Sequence, residues 1–224
     1  MNAIEIRNLT FSYDGERKVL DGLNLDIRRG DFVGIVGDSG CGKSTLCHIL
    51  CGIIPYAIGG ELYGDVTLYD GFRLRDLELK EMAERIGFVM QDSDRQIVST
   101  TVEDELAFGP ENMCVEPEEI RRRVDETCAM LGIENLKDIN PNQLSGGQKQ
   151  LVTIGSVLTT NPEILILDEP FSHLDENAGR NLSELILKLK AQGKTVLVVE
   201  HDHDAIEKAD RRICIKDGNI EREY

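Results

Sequence analysis

Two groups of residues in this chain could manage a polyphosphate and a metal ion. The first is Gly37-Asp38-Ser39-Gly40-Cys41-Gly42-Lys43-Ser44-Thr45, with the spacing Gly-x-x-x-x-Gly-Lys-Ser. Glycines there let the backbone curl until successive N–H groups converge on phosphate oxygens. Lys43 would supply charge at the outer phosphates, and the Ser44 hydroxyl a ligand for Mg²⁺. The second is Asp168-Glu169, which closes the apolar run Ile164-Leu165-Ile166-Leu167. Asp168 would hold Mg²⁺ through water, and Glu169 would orient or deprotonate an attacking water molecule. Taken alone, the two acids could simply be surface groups ending a strand. The Gly-Lys-Ser loop argues for the chemical reading.

Other candidates gain weight from position. Gln91 follows the run Ile86 to Met90, and His201 follows Thr195 to Val199. With Asp168 they make polar groups at three strand ends, which places them on the edge of an α/β sheet where nucleotides bind. A histidine there can hydrogen-bond a γ-phosphate. A lone Tyr13 reads as core or surface filler. Leu144-Ser145-Gly146-Gly147-Gln148 lies between the loop and the acids, just before an expected helix.

The elements that must carry these groups can be read from periodicity. Ile4 to Leu9, Leu23 to Ile27 and Phe32 to Val36 predict strands, the last apolar enough to be buried on both faces. A helix is expected from about Lys43 to Gly52, then a strand over Leu62 to Leu68, read as antiparallel. A polar helix over Leu77 to Glu84 leads to the strand Ile86 to Met90. Ser93 to Leu144 reads mainly as helix. Thr100-Thr101-Val102-Glu103 offers a capping box between Thr100 and Glu103, and Pro117 suits a first helical turn. Ile120, Val124, Cys128 and Leu131 mark an apolar stripe. After Gly147 the face Leu151, Ile154, Gly155 and Leu158 predicts another helix. Leu182, Leu185, Ile186 and Leu189 stripe a further one. Strands follow at Thr195 to Val199 and Ile213 to Ile215, and Lys216-Asp217-Gly218-Asn219 predicts a hairpin turn before Ile220.

Bulk properties narrow the setting. Length is 224 residues, with 41% apolar and 29% charged residues, as expected of one soluble globular domain. No apolar run approaches the ~20 residues that cross a bilayer, and Met1-Asn2-Ala3-Ile4-Glu5 lacks the regions of a signal peptide. A membrane role would come through a partner. Acids outnumber bases 41 to 25, and acids surround Arg121-Arg122-Arg123, so no nucleic-acid partner is expected. Cys41, Cys47, Cys51, Cys114, Cys128 and Cys214 contain no Cys-x-x-Cys, which suits a reducing cytosol better than a zinc or redox site.

With these residues assembled, the chain resembles the nucleotide-binding subunit of an ABC transporter from Ile4 to Ile220. The resemblance implies an α/β fold: a P-loop NTPase (RecA-like) core with an antiparallel β-subdomain and a helical subdomain, about 93–149, in one domain spanning 1–224. It implies ATP and Mg²⁺ as cofactors. Tyr13 takes the place of the aromatic that stacks on adenine. Gln91 is similar to the glutamine that senses Mg²⁺ and touches the membrane partner, so Mg²⁺ would sit on Ser44, Gln91 and Asp168. Ser145-Gly146-Gly147-Gln148 matches the signature that grips a neighbouring subunit's γ-phosphate. Ser172-His173-Leu174-Asp175 is similar to the loop linking two sites of a dimer, and His201 matches the switch histidine. Lys43, Gln91, Glu169 and His201 would be the catalytic groups.

A finer resemblance surrounds Gln91. Gln91-Asp92-Ser93-Asp94-Arg95-Gln96-Ile97-Val98, with Ala107-Phe108-Gly109-Pro110-Glu111-Asn112, looks like the ATPases of energy-coupling factor (ECF) transporters, including cobalt and nickel importers. Pro55-Tyr56 and Gly59-Gly60-Glu61-Leu62-Tyr63-Gly64 add to that likeness. It implies a second ATPase subunit, identical or paralogous, a transmembrane coupling protein and a substrate-binding membrane protein. The chain would then sit on the cytoplasmic face of the cell membrane. Ser93 stands where that group often has Pro, and Asp38 where Pro or Asn is common. The chain ends soon after its last hairpin, where many of those ATPases carry a C-terminal extension that helps them dimerise. A soluble ABC ATPase of the iron–sulfur assembly type, or the ATPase of another transporter class, is the alternative.

Overall fold

Strand alternation explains the central layer. In β3 (Phe32–Val36), β6 (Ile164–Asp168) and β7 (Thr195–Glu200) every residue is buried, because each strand packs on both faces. Val33, Ile35, Ile164, Ile166, Leu197 and Val199 face one apolar cluster, and their sequence neighbours Phe32, Val36, Leu165, Leu167, Val196 and Val198 face another. The computed structural model describes residues 1–172, 174–202 and 204–224. Among them, one sheet runs β5 (Ile86–Val89), β6, β7, β3, β8 (Arg211–Lys216) and β9 (Asn219–Glu223). Its pairs are parallel except β8 with β9. All strand ends that carry predicted chemistry therefore open on one rim.

A second sheet has the order β2 (Lys18–Arg28), β1 (Asn2–Ser12), β4 (Glu61–Leu68), all antiparallel. Helix α1 (Lys43–Leu50) is pressed between the sheets, and Leu46, Cys47, Ile49 and Leu50 share a cluster with Ile4, Ile6, Leu9 and Phe11. Cys47 is thus filler, as its spacing to Cys51 suggests, and burial pushes its thiol well above the ordinary range. A short helical turn, α2 (Ile53–Tyr56), and α3 (Leu79–Arg85) follow. On the other face of the parallel sheet, α7 (Glu176–Ala191) buries Leu182, Leu185, Ile186 and Leu189.

Between β5 and β6 the helices α4 (Val102–Asn112), α5 (Pro117–Leu131) and α6 (Gly146–Leu158) enclose their own cluster of Val102, Leu106, Ile120, Val124, Cys128 and Val152.

Several boundaries differ from the sequence reading. β1 continues to Ser12 because Asn8, at φ 50°, forms an irregularity in the pairing that the chain passes without leaving the sheet. The Asn24 carboxamide oxygen accepts the Asn8 N–H there. β2 likewise begins at Lys18, five residues before the expected start, and pairs with Ser12. α3 starts at Leu79, since Glu78 caps it in a box with Glu81. The cap of α4 is Thr101, whose hydroxyl accepts the Asp104 N–H at 3.1 Å; the Thr100–Glu103 pair is one residue out of phase with the helix. In α6, Val152 and Val157 are buried while Leu151 and Leu158 are half-buried, because the helix packs against both its fellow helices and the sheet. The last turn is as expected: Asp217 (φ 48°) and Gly218 (φ 78°) link β8 to β9, the left-handed pair of a tight hairpin.

The free edge of β5 is closed by a side chain. Gln96 Nε2 donates to the Phe88 carbonyl at 2.9 Å, and Gln96 Oε1 accepts the Met90 N–H at 2.8 Å. One carboxamide thus takes the place of a neighbouring strand.

Candidate nucleotide-binding site

The loop after β3 is shaped by contacts that exclude side chains. At Gly37 (φ 155°) a Cβ would sit 2.2 Å from the Ile215 carbonyl oxygen. Gly42, at φ 110°, begins α1 without any side-chain cap. The first N–H groups of α1 therefore lack a partner of that kind, which suits an anion. Lys43 is 6% exposed, and its ammonium donates to the Gly37 and Asp38 carbonyls at 2.6 and 3.1 Å. The Cys41 sulfur lies 4.0 Å from the same nitrogen.

Around the loop lies a cleft of about 960 Å³ that gathers Tyr13, Ser39, Gly40, Cys41, Gly42, Lys43, Ser44, Thr45, Gln91, Glu169 and His201. That volume lies in the range of a small-ligand pocket. Tyr13 stands edge-on to Phe11, ring centroids 4.7 Å apart, with its hydroxyl 3.0 Å from Thr45 Oγ1. Its ring is half exposed over the cleft mouth, open to a flat partner.

The floor fits a divalent cation. Asp168 is 4% exposed, and its Oδ1 is buried without a hydrogen-bond partner. Burial pushes its carboxyl above the ordinary value; the Ser44 hydroxyl opposes the shift and the Glu169 charge adds to it. A positive ion beside Ser44 and Asp168 would relieve both the orphaned oxygen and the buried charge.

Glu169 adopts φ 47°, a left-handed backbone that costs a non-glycine residue roughly 1–2 kcal/mol. Its N–H is fixed to the Val199 carbonyl at 2.9 Å. Glu169 Oε2 accepts Gln91 Nε2 at 2.7 Å and lies 3.7 Å from His201 Nδ1. The sharp turn thus aims the carboxylate across the strand ends at the other two polar groups.

Ser145, Gly146, Gly147 and Gln148 do not line this cleft. They form the N-terminus of α6, where Ser145 Oγ accepts the Gln148 N–H at 3.3 Å and Gln148 Oε1 accepts the Ser145 N–H at 3.0 Å. Gln148 therefore spends its side-chain oxygen on the cap. Asp175 caps α7 through the Ala178 N–H at 2.8 Å. His173 lies outside the described residues.

Sequence reasoning missed several supports. Gln150, 2% exposed, accepts the Ser93 hydroxyl, and Lys149 binds Asp94 at 2.6 Å, so two bonds tie the turn after Gln91 to α6. Glu105 Oε2 accepts the Val98 and Ser99 N–H groups at 3.0 and 2.9 Å. An apolar groove of about 520 Å³ lies between this segment and α3, lined by Leu79, Ala83, Phe88, Phe108, Met113 and Val157. Phe108 and Leu79 are each 50% exposed there. The signal for this surface was present as the Ala107-Phe108-Gly109-Pro110 run.

An uncapped glycine-rich helix start, a buried lysine and acids at parallel strand ends define the class: a P-loop nucleotide-binding cassette. A family model described as "ABC transporter" matches residues 20–172. Relatives include a putative ABC transporter ATP-binding protein of Methanosarcina acetivorans, 42% identical over 97% of this chain and 34% of its own length. Others are the energy-coupling factor transporter ATP-binding protein EcfA1 of Mycoplasmoides gallisepticum (35%; 98% and 76% covered) and the cobalt import ATP-binding protein CbiO of Syntrophus aciditrophicus (37%; 98% and 77% covered). Among solved structures, CbiO1 from Clostridium perfringens, part of the CbiONQ transporter complex, has a TM-score of 0.88 at 32% identity, with 99% and 88% covered. The cassette MJ0796, dimeric with ADP and Pi, has 0.87 at 34%, with 99% and 97% covered. The chain belongs to the ABC transporter family, whose cassettes bind ATP with Mg²⁺ and hydrolyse it. It spans about a third of the length of the Methanosarcina relative.

Proposed function

We propose that this chain is the ATP-hydrolysing subunit of an ECF-type importer for a vitamin or a metal ion. It would act as one cassette, its helical part near 93–149, paired with an identical or paralogous cassette over two ATP molecules. The observation that carries this reading is the separation of Ser145–Gln148 from the cleft of Lys43. One chain presents a phosphate loop in the cleft and, elsewhere, an exposed helix start closed by its own capping box.

In this reading Tyr13 stacks on adenine, and the N–H groups of Gly37 to Thr45 hold the phosphates. Lys43 leaves the Gly37 and Asp38 carbonyls for the outer phosphates. Mg²⁺, held by Ser44, Gln91 and Asp168, would neutralise phosphate charge. Glu169, already hydrogen-bonded to Gln91, turns to a water in line with the γ-phosphate, and His201 donates to that phosphate. The partner cassette closes the site with its own Ser145, Gly146 and Gly147, and the Asp175 turn lies between the two sites. Little covalent help is needed, since phosphoryl transfer is mainly positioning and electrostatics.

The ECF setting is supported by the EcfA1 and CbiO relatives and by the groove beside Phe108. That groove would take a transmembrane coupling protein, which in turn holds a substrate-binding membrane protein. The chain would then lie peripherally on the cytoplasmic face of the membrane. Glu169→Gln should bind ATP and dimerise with it while hydrolysis falls about 100-fold or more. Near-normal turnover would remove Glu169 from its role. In membranes of the source cell, the tagged chain should bring down a multi-span coupling protein; recovery of soluble scaffold proteins alone would favour the iron–sulfur assembly alternative.

A further inference from the structure

Glu200 ends β7, a strand otherwise made of Thr195 and four valine or leucine residues, and is 1% exposed. A buried acid needs partners for its oxygens. Glu200 Oε1 accepts the Phe171 N–H at 3.1 Å, and Glu200 Oε2 lies 3.5 Å from His201 Nδ1. The other acid near that nitrogen, Glu169, is 3.7 Å away, and its oxygen already accepts from Gln91. The two oxygens of Glu200 thus address two different loops. One follows β6 and carries Glu169, Phe171 and Asp175; the other follows β7 and carries His201.

We infer that Glu200 is a positioning residue for hydrolysis. It accepts the His201 Nδ1–H of a ring that carries a second proton on Nε2, the edge turned to the cleft for donation to the phosphate, and it ties that loop to the loop bearing Glu169. The sequence hides this role, because an acid closing a strand reads as a surface group. The side chain touches neither substrate nor metal; it acts through His201 and the Phe171 amide. The inference rests on the reading of His201 as a phosphate ligand.

Glutamine at this position separates the functions. Its one oxygen can still serve the Phe171 N–H, but its NH₂ then meets Nδ1, which has to become an acceptor. The ring must turn, or it must give up its Nδ1 proton and with it the positive charge that faces the phosphate. In a ¹⁵N-labelled protein, ring NMR should show His201 Nδ1 protonated in the wild type and unprotonated, or the ring reoriented, in Glu200→Gln. The substitution should lower kcat about ten-fold with the ATP affinity of the monomer unchanged. In a His201→Ala background the same substitution should change kcat less than two-fold, because residues acting as a unit are not additive. Wild-type turnover in Glu200→Gln, or an equal loss in both backgrounds, overturns the inference. If Glu200→Gln melts too low to assay, Glu200→Thr supplies the cycle, with the same expectation. Should His201→Ala prove fully active, the role assigned to His201 fails; an unchanged ring spectrum in Glu200→Gln would then independently refute the hold on the ring.

Discussion

Two helix starts in this chain are rich in glycine, and they are finished in opposite ways. α1 begins at Gly42 with no side-chain cap, beside a buried lysine, at the rim of the parallel sheet. α6 begins at Ser145 with a complete capping box, exposed and outside the cleft. An uncapped start keeps its N–H groups for a ligand that the same chain holds. A capped start is stable without any ligand, and the Gly146-Gly147 pair leaves room for one brought from elsewhere. Under the proposed function, the contrast would separate a site that binds alone from one that completes a site on another molecule.

The largest effect should break the contrast if it is wrong. Lys43→Ala should weaken ATP binding to the isolated monomer about 100-fold, since charge-assisted phosphate contacts are the strong ones. Ser145→Ala should leave that affinity within about two-fold while lowering hydrolysis by the dimer about ten-fold or more. Equal losses of monomer affinity, measured by titration calorimetry, would erase the distinction between the two helix starts.

Stability sharpens the same comparison. Ser145→Ala removes a cap and should cost about 1 kcal/mol in urea unfolding. Thr101→Ala, the cap of α4, should cost a similar ~1 kcal/mol yet leave hydrolysis unchanged. A hydrolytic defect in both variants would mean that Ser145 acts only through fold stability.

The smallest effect is a pH dependence. Burial raises the Glu200 carboxyl above its ordinary value, and Glu169 adds to this, while the Phe171 N–H, His201 and its own loop backbone oppose it. A raised folded value means that this acid's contribution to stability is complete below the unfolded value. It is lost as pH rises through the folded one. As pH rises above the ordinary glutamate value, the melting temperature of Glu200→Gln should therefore decline less than that of the wild type. Parallel curves would show that Glu200 is not the group responsible.

Much of this was legible beforehand. The phosphate loop declares itself by glycine spacing, and Gln91, Asp168 and His201 stand out because the runs before them are apolar. The supports were not legible, because each looks ordinary in sequence. Glu200, Gln150 and Glu105 are polar residues whose burial depends on segments far along the chain. The strand expected over Ile4 to Leu9 runs on to Ser12, and nothing in its pattern shows the irregularity at Asn8 that β1 passes through. Thr100 and Thr101 are equivalent in pattern, and only the phase of the helix chooses between them.

The carboxamide of Gln96 along β5 has a consequence for solution behaviour. An open strand edge invites other chains to pair with it, and such pairing is often irreversible. Here the Phe88 carbonyl and the Met90 N–H are already occupied. A molecule proposed to meet a second cassette and release it at every turnover gains from a β5 edge that is already partly occupied. Replacing Gln96 by a residue unable to bridge would expose that stretch, and the first symptom would be slow loss of soluble protein on storage, before any loss of catalytic chemistry.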